Sequence, residues 1–182
     1  MQTLFFCAVK SDYLPSTEKR FNSTLSINKE KTMTNDKPDL EATLVNCEVL
    51  DRKSLAPFKV VFVKINILFR DNLTSEELYD ATRWCWRLSE RRANNCDYVF
   101  GVWRGQLVSI YANTRWERIT EKNYIQAPPH NTDPQRNIGT HSFFVCDKAS
   151  QKQFFTSKLI YKPLNTREIF GNDRNVRAYN YK

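Results

Sequence analysis

The chain has 182 residues, with 28 Lys and Arg against 20 Asp and Glu, a formal net charge of +8. That length supports one core of ordinary size without covalent staples. Five scattered cysteines, two histidines and four glycines form no CxxC pair, no metal-ligand spacing and no glycine-rich phosphate loop. No apolar run reaches spanning length, and residues 4–9 are too short for the apolar region of a secretory signal. The expectation is a cytoplasmic protein with reduced thiols, outside any membrane and with no cofactor.

Charge is unevenly spread. Residues 1–57 carry 8 basic and 8 acidic side chains, so the later 20 minus 12 accounts for the whole +8. A basic domain of this kind favours polyanions, nucleic acid first. Residues 1–38 are polar and without periodicity, and read as a disordered extension. Residues 39–57 hold LEATLVNCEVL and a short linker, a segment that covers the domain of residues 58–182. KVVFVKINILF, residues 59–69, is nearly continuous in β-branched and aromatic residues, which predicts a buried central strand.

Residues 73–92, LTSEELYDATRWCWRLSERR, predict the principal helix. Thr74 and Glu77 have the spacing of a capping box, and Leu73 and Leu78 that of a hydrophobic staple. Leu78, Ala81, Cys85 and Leu88 repeat at helical spacing toward a core. Tyr79, Arg83, Trp86 and Arg87 then form an aromatic and cationic face. Glu76, Glu77 and Asp80 suit the positive end of the helix dipole.

Next comes a β-hairpin, YVFGVW and QLVSIY joined by Arg104-Gly105. With Trp103 opposite Gln106, one face would carry Val99, Gly101, Trp103, Val108 and Ile110. The other would carry Tyr98, Phe100, Val102, Leu107, Ser109 and Tyr111. A hairpin apolar on both sides suits a small barrel with a helix outside. Residues 120–140 form a long polar loop with Pro128-Pro129, and such a loop is functional or disordered. Residues 142–146, 154–161 and 176–181 predict three further strands.

The run FVKIN…LTSEELYDATRWCWRLSERRANNCDYVFGVWRGQLVSIY, closing in Trp116, resembles a group of mostly uncharacterised bacterial and phage domains. Their signature is ELY-x-ATR-x-x-W followed by a hairpin of the form YAFAVY-x-G, and GNDRNVRAYNY resembles their closing strand. Trp84 stands where that group carries a small residue, and the proline-containing loop replaces part of its middle. The arrangement is similar in turn to the PUA-like superfamily of small β-barrels, including the PUA, ASCH, EVE and SRA types. That resemblance implies an α+β fold, a small PUA-like β-barrel with one principal helix after the first strand. It also implies binding of RNA or of modified DNA bases.

Four tryptophans, Trp84, Trp86, Trp103 and Trp116, interleave with Arg83, Arg87, Arg104, Arg115 and Arg118. Rings stack on bases and guanidinium groups pair with phosphates, a mixture that suits a single-stranded or flipped base. Tryptophans are also core residues, and two of the four are expected there, with Trp86 and Trp116 lining a surface or pocket. Arg83 would either pair with Asp80 or Glu76 or recognise a phosphate or base. The candidate interface is a cleft between the helix's second half and the hairpin. Arg83, Trp86, Tyr98 and Trp116 would line it, with Asn66 from the end of the first strand. Arg87, Arg91 and Arg92 would grip phosphates beside it.

Two other classes of function compete. One is a phage or plasmid protein that docks onto a host defence or restriction protein through an exposed apolar patch. The other is a metal-dependent nuclease using Glu76, Glu77 or Asp80. His130 and His141 flank the long loop without a nucleophile–base arrangement, so no catalytic residue is assigned.

Overall fold

The computed structural model describes residues 37–171 and 177–180. All but the last two residues of the expected extension, residues 1–38, lie outside them. The architecture is mixed α+β. A four-stranded sheet runs in the order β3-β2-β1-β6, with β1 Val60–Lys64, β2 Tyr98–Trp103, β3 Gln106–Ala112 and β6 Arg177–Tyr179. A two-stranded sheet pairs β4 Arg115–Arg118 with β5 Ser142–Val145. Helices α1 Leu40–Leu44, α2 Ser75–Arg83, α3 Glu90–Ala93, α4 Lys148–Gln153 and α5 Thr166–Phe170 surround them. Among the described residues, no helix is long and apolar enough to cross a membrane.

β1 is central and buried on both faces, as its unbroken β-branched run requires. It lies parallel to β2, Val60 opposite Tyr98, and antiparallel to β6. The strand is shorter than expected. It stops at Lys64, and residues 65–69 fold into a turn in which Ile65 O accepts from the N–H groups of Leu68 and Phe69. One core lies on the side of Phe62, Phe100, Val102 and Leu107, and takes in Leu40, Leu44, Leu50 and Leu55 from the segment ahead of the sheet. The other lies under α2, around Val61, Val63, Val99, Tyr111, Trp116 and Phe144.

The hairpin forms with Trp103 opposite Gln106, and its two-residue turn is left-handed at both positions, φ 47° at Arg104 and 81° at Gly105. Its faces differ from strict alternation. Val102 pairs with Leu107 but Gly101 pairs with Ser109, so Val108 is an extra residue, a β-bulge. Beyond it Ile110 joins the face of Phe100, while Tyr111 joins that of Val99. Gly101 then faces α2 directly. A Cβ there would lie 2.1 Å from Ser109 Oγ on β3 and 3.2 Å from Thr82 Oγ1 on α2, so it would displace the Ser109 hydroxyl and push on the helix by a few tenths of an ångström.

The helix is half the expected length. Its start is as read: Thr74 Oγ1 accepts from Glu77 N at 3.2 Å, and Glu77 Oε2 accepts from Thr74 N at 2.9 Å. It ends at Arg83. Trp84 is extended, with φ −120° and ψ 144°, and the Trp84-Cys85 peptide is cis. Trp86 then pairs as a strand with Ser142, N to O at 2.8 Å and O to N at 2.9 Å. Two tryptophans in succession gain separate burial sites this way. Trp84 packs with Ile119 and Phe143, and Trp86 with the core beneath α2. A helix resumes only at Glu90, behind the Ser89 cap. Tyr79, expected on the outer face, is buried against Tyr111 and Phe144.

Residues 154–161 are not a strand. α4 ends at Gln153 just ahead of this stretch, which is a series of turns burying Phe154 and Leu159, and the chain bonds to the edge of β3 where Tyr161 N donates to Leu107 O. The expected strand at residues 142–146 is β5. That at 176–181 is β6 over the residues described.

Candidate functional site

A cavity of about 490 Å³ opens beyond the C-terminal end of β1. Three pieces of chain wall it: the turn after β1, the extended segment after α2, and a bend of the long loop. The turn contributes Asn66, Ile67 and Leu68 next to Lys64 and Ile65; the segment contributes Trp84, Cys85 and Trp86; the bend contributes His130 and Asn131. The walls are mainly apolar and the polar groups sit on different sides, the ordinary makeup of a small-molecule or base pocket. No Asp or Glu lines it.

Each wall is held in place. Asn66 Oδ1 accepts from the main-chain N–H of Arg104 at 3.2 Å, tying the turn to the tip of the hairpin. The indole N–H of Trp86 donates to Thr82 O at 2.7 Å, closing an orphan carbonyl at the end of α2. Arg83 clamps the long loop. Its Nε donates to Asp80 at 2.7 Å and its Nη2 to the carbonyl of Gln126 at 2.6 Å, and its side chain is only 11 % exposed. The loop is further fastened by Gly139 N donating to Ile119 O and by Tyr124, Ala127 and Ile138 packing on Trp84 and its neighbours.

Burial sets the electrostatics. It pulls the Lys64 amine below its ordinary value, with Nζ 4.1 Å from the centre of the Phe170 ring. It pulls the His130 imidazole down, Asp80 opposing and Arg83 adding to the effect. It pushes the Cys85 thiol up, so that thiol is not an activated nucleophile. Asn131 Nδ2 lies 3.9 Å from Cys85 Sγ. The site is thus mainly apolar and free of carboxylates, with Asn66 and Asn131 among the residues that line it.

Of the residues singled out from sequence, Asn66 and Trp86 meet in this cavity. Arg83 stands behind it as the loop clamp. Arg87 is exposed on the chain immediately after Trp86. Arg91 and Arg92 lie on α3, where Arg92 sits 4.1 Å from the centre of the Tyr179 ring. Tyr98 is at the opposite end of the sheet, packed on Phe58 and Phe154 and bordering a separate polar cavity with Asn94 and Asp97. Trp116 is 3 % exposed and stacks on Phe144, with its backbone held by the Asn94 carboxamide. Neither Tyr98 nor Trp116 lines the cavity.

Lys64, Trp84, Cys85, His130 and Asn131 were missed. Trp84-Cys85-Trp86 alternates like a strand, and Pro128-Pro129 ahead of His130 marks a stiff bend; these were the available signals. Among the described residues, no group of three His, Cys, Asp or Glu is placed to hold a metal ion. Glu77, a candidate nuclease carboxylate, closes the capping box and pairs with Arg70 at 3.1 Å. Comparison of the chain with protein-family models, with curated proteins and with solved structures found no match.

Proposed function

We propose that this chain is a nucleic-acid-binding domain whose cavity beyond β1 holds a single displaced base, a modified base included. We further propose that residues 58–182 are a divergent PUA-like domain. The observation that carries the first reading is the meeting of Asn66 and Trp86, with Trp84, in one cavity free of carboxylates. Stacking on an aromatic side chain contributes on the order of 1–3 kcal/mol per base and tolerates any base. Selectivity would come from the Asn66 and Asn131 amide nitrogens as donors to a base edge, their oxygens being held by Arg104 N and Asp133 N. The exposed Arg87, next in the chain after Trp86, supplies positive charge for the neighbouring phosphates.

The test is a binding panel of single- and double-stranded DNA and RNA across salt concentrations. The logarithm of the binding constant should fall linearly with the logarithm of salt, with a slope of about −0.7 to −0.9 per phosphate neutralised. Absence of binding to every member at about 50 mM salt, where phosphate contacts are strong, rules the reading out.

A further inference from the structure

We infer that the Arg104 guanidinium, laid on the Trp103 indole at the tip of the hairpin, is a second stacking surface for the nucleotide next in the strand to the one in the cavity. This rests on the base-binding reading above and adds that the ligand spans at least two adjacent, unpaired nucleotides. The guanidinium carbon of Arg104 lies 4.8 Å from the centre of the Trp103 ring. That ring lies in turn 4.6 Å from the Phe69 ring, inclined to it at 37°. Phe69 ends the turn after β1, whose Asn66 lines the cavity and accepts from Arg104 N at 3.2 Å. The pile of side chains is thus fastened to the cavity wall.

The hairpin tip is held from both sides. Asn66 takes the N–H of Arg104, and Gly105 O accepts from Leu164 N at 2.8 Å. Arg104 stands there at φ 47°, in the left-handed region where Asn, Asp and Gly are the favoured residues of such a turn. Nothing in the turn calls for a long cation, and among the described residues Arg104 forms no ion pair. A residue kept at a backbone cost points to a role beyond the local fold. What Arg104 offers is a flat, exposed group supported by an indole. Guanidinium planes and aromatic rings both receive unpaired bases, and such stacking tolerates any base. A base inside a duplex has both faces covered by its neighbours, so the occupant is an unpaired nucleotide.

The experiment uses short strands of constant length, as DNA and as RNA, that carry no base, one base or two adjacent bases, the remaining sugars being abasic. Phosphate charge is the same in all of them, so any gain in affinity belongs to the bases. Binding is measured at about 50 mM salt, low enough for phosphate contacts to register. In the wild type the first base should raise affinity by filling the cavity. The second should raise it by about tenfold more, within the range for one stacked base. Arg104→Lys keeps the charge without the plane. In that variant the first gain should remain and the second disappear, with the salt slope unchanged. The retained first gain also shows that the variant is folded. A second base that adds nothing in the wild type, or adds as much in Arg104→Lys, overturns the second surface and leaves the cavity reading standing. Loss of both gains in Arg104→Lys overturns it too, since Arg104 would then support the cavity rather than extend it. If the first base adds nothing in the wild type, the base-binding reading fails, and this inference falls with it.

Discussion

The indole N–H of Trp86 donates to the main-chain carbonyl of Thr82 at 2.7 Å, so the tryptophan that lines the cavity also closes the last turn of α2. At 8 % exposure it is a core residue and a wall residue at once. Trp86→Ala should therefore lose both binding and stability, by about 3–5 kcal/mol. Trp86→Phe separates the two roles. It keeps a ring for stacking but leaves the Thr82 carbonyl unpaired, at a cost of roughly 1–3 kcal/mol. Urea unfolding beside a binding titration checks both variants. Trp86→Ala with unchanged stability would contradict the packing described.

Gly101 marks the point where α2 presses on the hairpin. Gly101→Ala would drive its methyl into Ser109 Oγ, whose hydroxyl lies 3.1 Å from that of Thr82. A loss of roughly 1–3 kcal/mol is expected, as for other overpacked sites. Ser109→Ala removes the nearest atom, so the same change in that background should cost less. A double-mutant cycle from melting curves measures the coupling. Strictly additive losses would show that the close approach is absent.

Arg83 fastens the loop through Asp80 and Gln126, so its replacement should act on order before it acts on charge. Arg83→Lys keeps the charge but cannot span both partners, and should cost on the order of 1–2 kcal/mol. Limited proteolysis within residues 120–140 should quicken, and affinity should fall because His130 and Asn131 lose their position. The salt slope should stay the same. A slope smaller by about one phosphate unit in the neutral Arg83→Gln, with the loop still protected, would instead mean direct phosphate contact.

The Cys85 thiol lines the cavity and is pushed above its ordinary value of 9.0 by burial. At pH 7.5 it should alkylate more slowly than a free thiol and speed up as pH rises past 9, because the thiolate is the reacting form. A bound base should slow it further. Peptide mass mapping of iodoacetamide adducts, with and without nucleic acid, reads this position separately from Cys7, Cys47, Cys96 and Cys146. Fast labelling at pH 7.5 that ligand does not slow would place Cys85 outside the occupied cavity.

Local signals in the sequence were reliable where the interaction itself is local. Thr74 and Glu77 form their box three residues apart, and Arg104-Gly105 makes the tight turn that its neighbours demand. The failures come from partners far along the chain. Trp84 to Trp86 leave the helix because Ser142 offers a strand partner and Phe143 and Ile119 offer burial. The Val108 bulge reverses the expected facing of Ile110 and Tyr111, and no residue type announces it. Asn66 and Trp86 do meet, although the helix expected to carry Trp86 ends at Arg83 and an extended segment brings it to the cavity instead. His130 and Asn131 could not be anticipated, since the Arg83 clamp that brings them in shows only in three dimensions.

The central claim is that a base enters the cavity between Trp84, Trp86 and Asn66, and tryptophan fluorescence reads it most directly. Titration with DNA at about 50 mM salt should quench emission saturably, with a midpoint that rises with salt. Asn66→Ala should shift that midpoint by about tenfold, the worth of a good base-edge contact, and lower stability by about 0.5–1.5 kcal/mol through loss of its bond to Arg104 N. Binding without quenching, or quenching indifferent to Asn66, would contradict a base in this cavity.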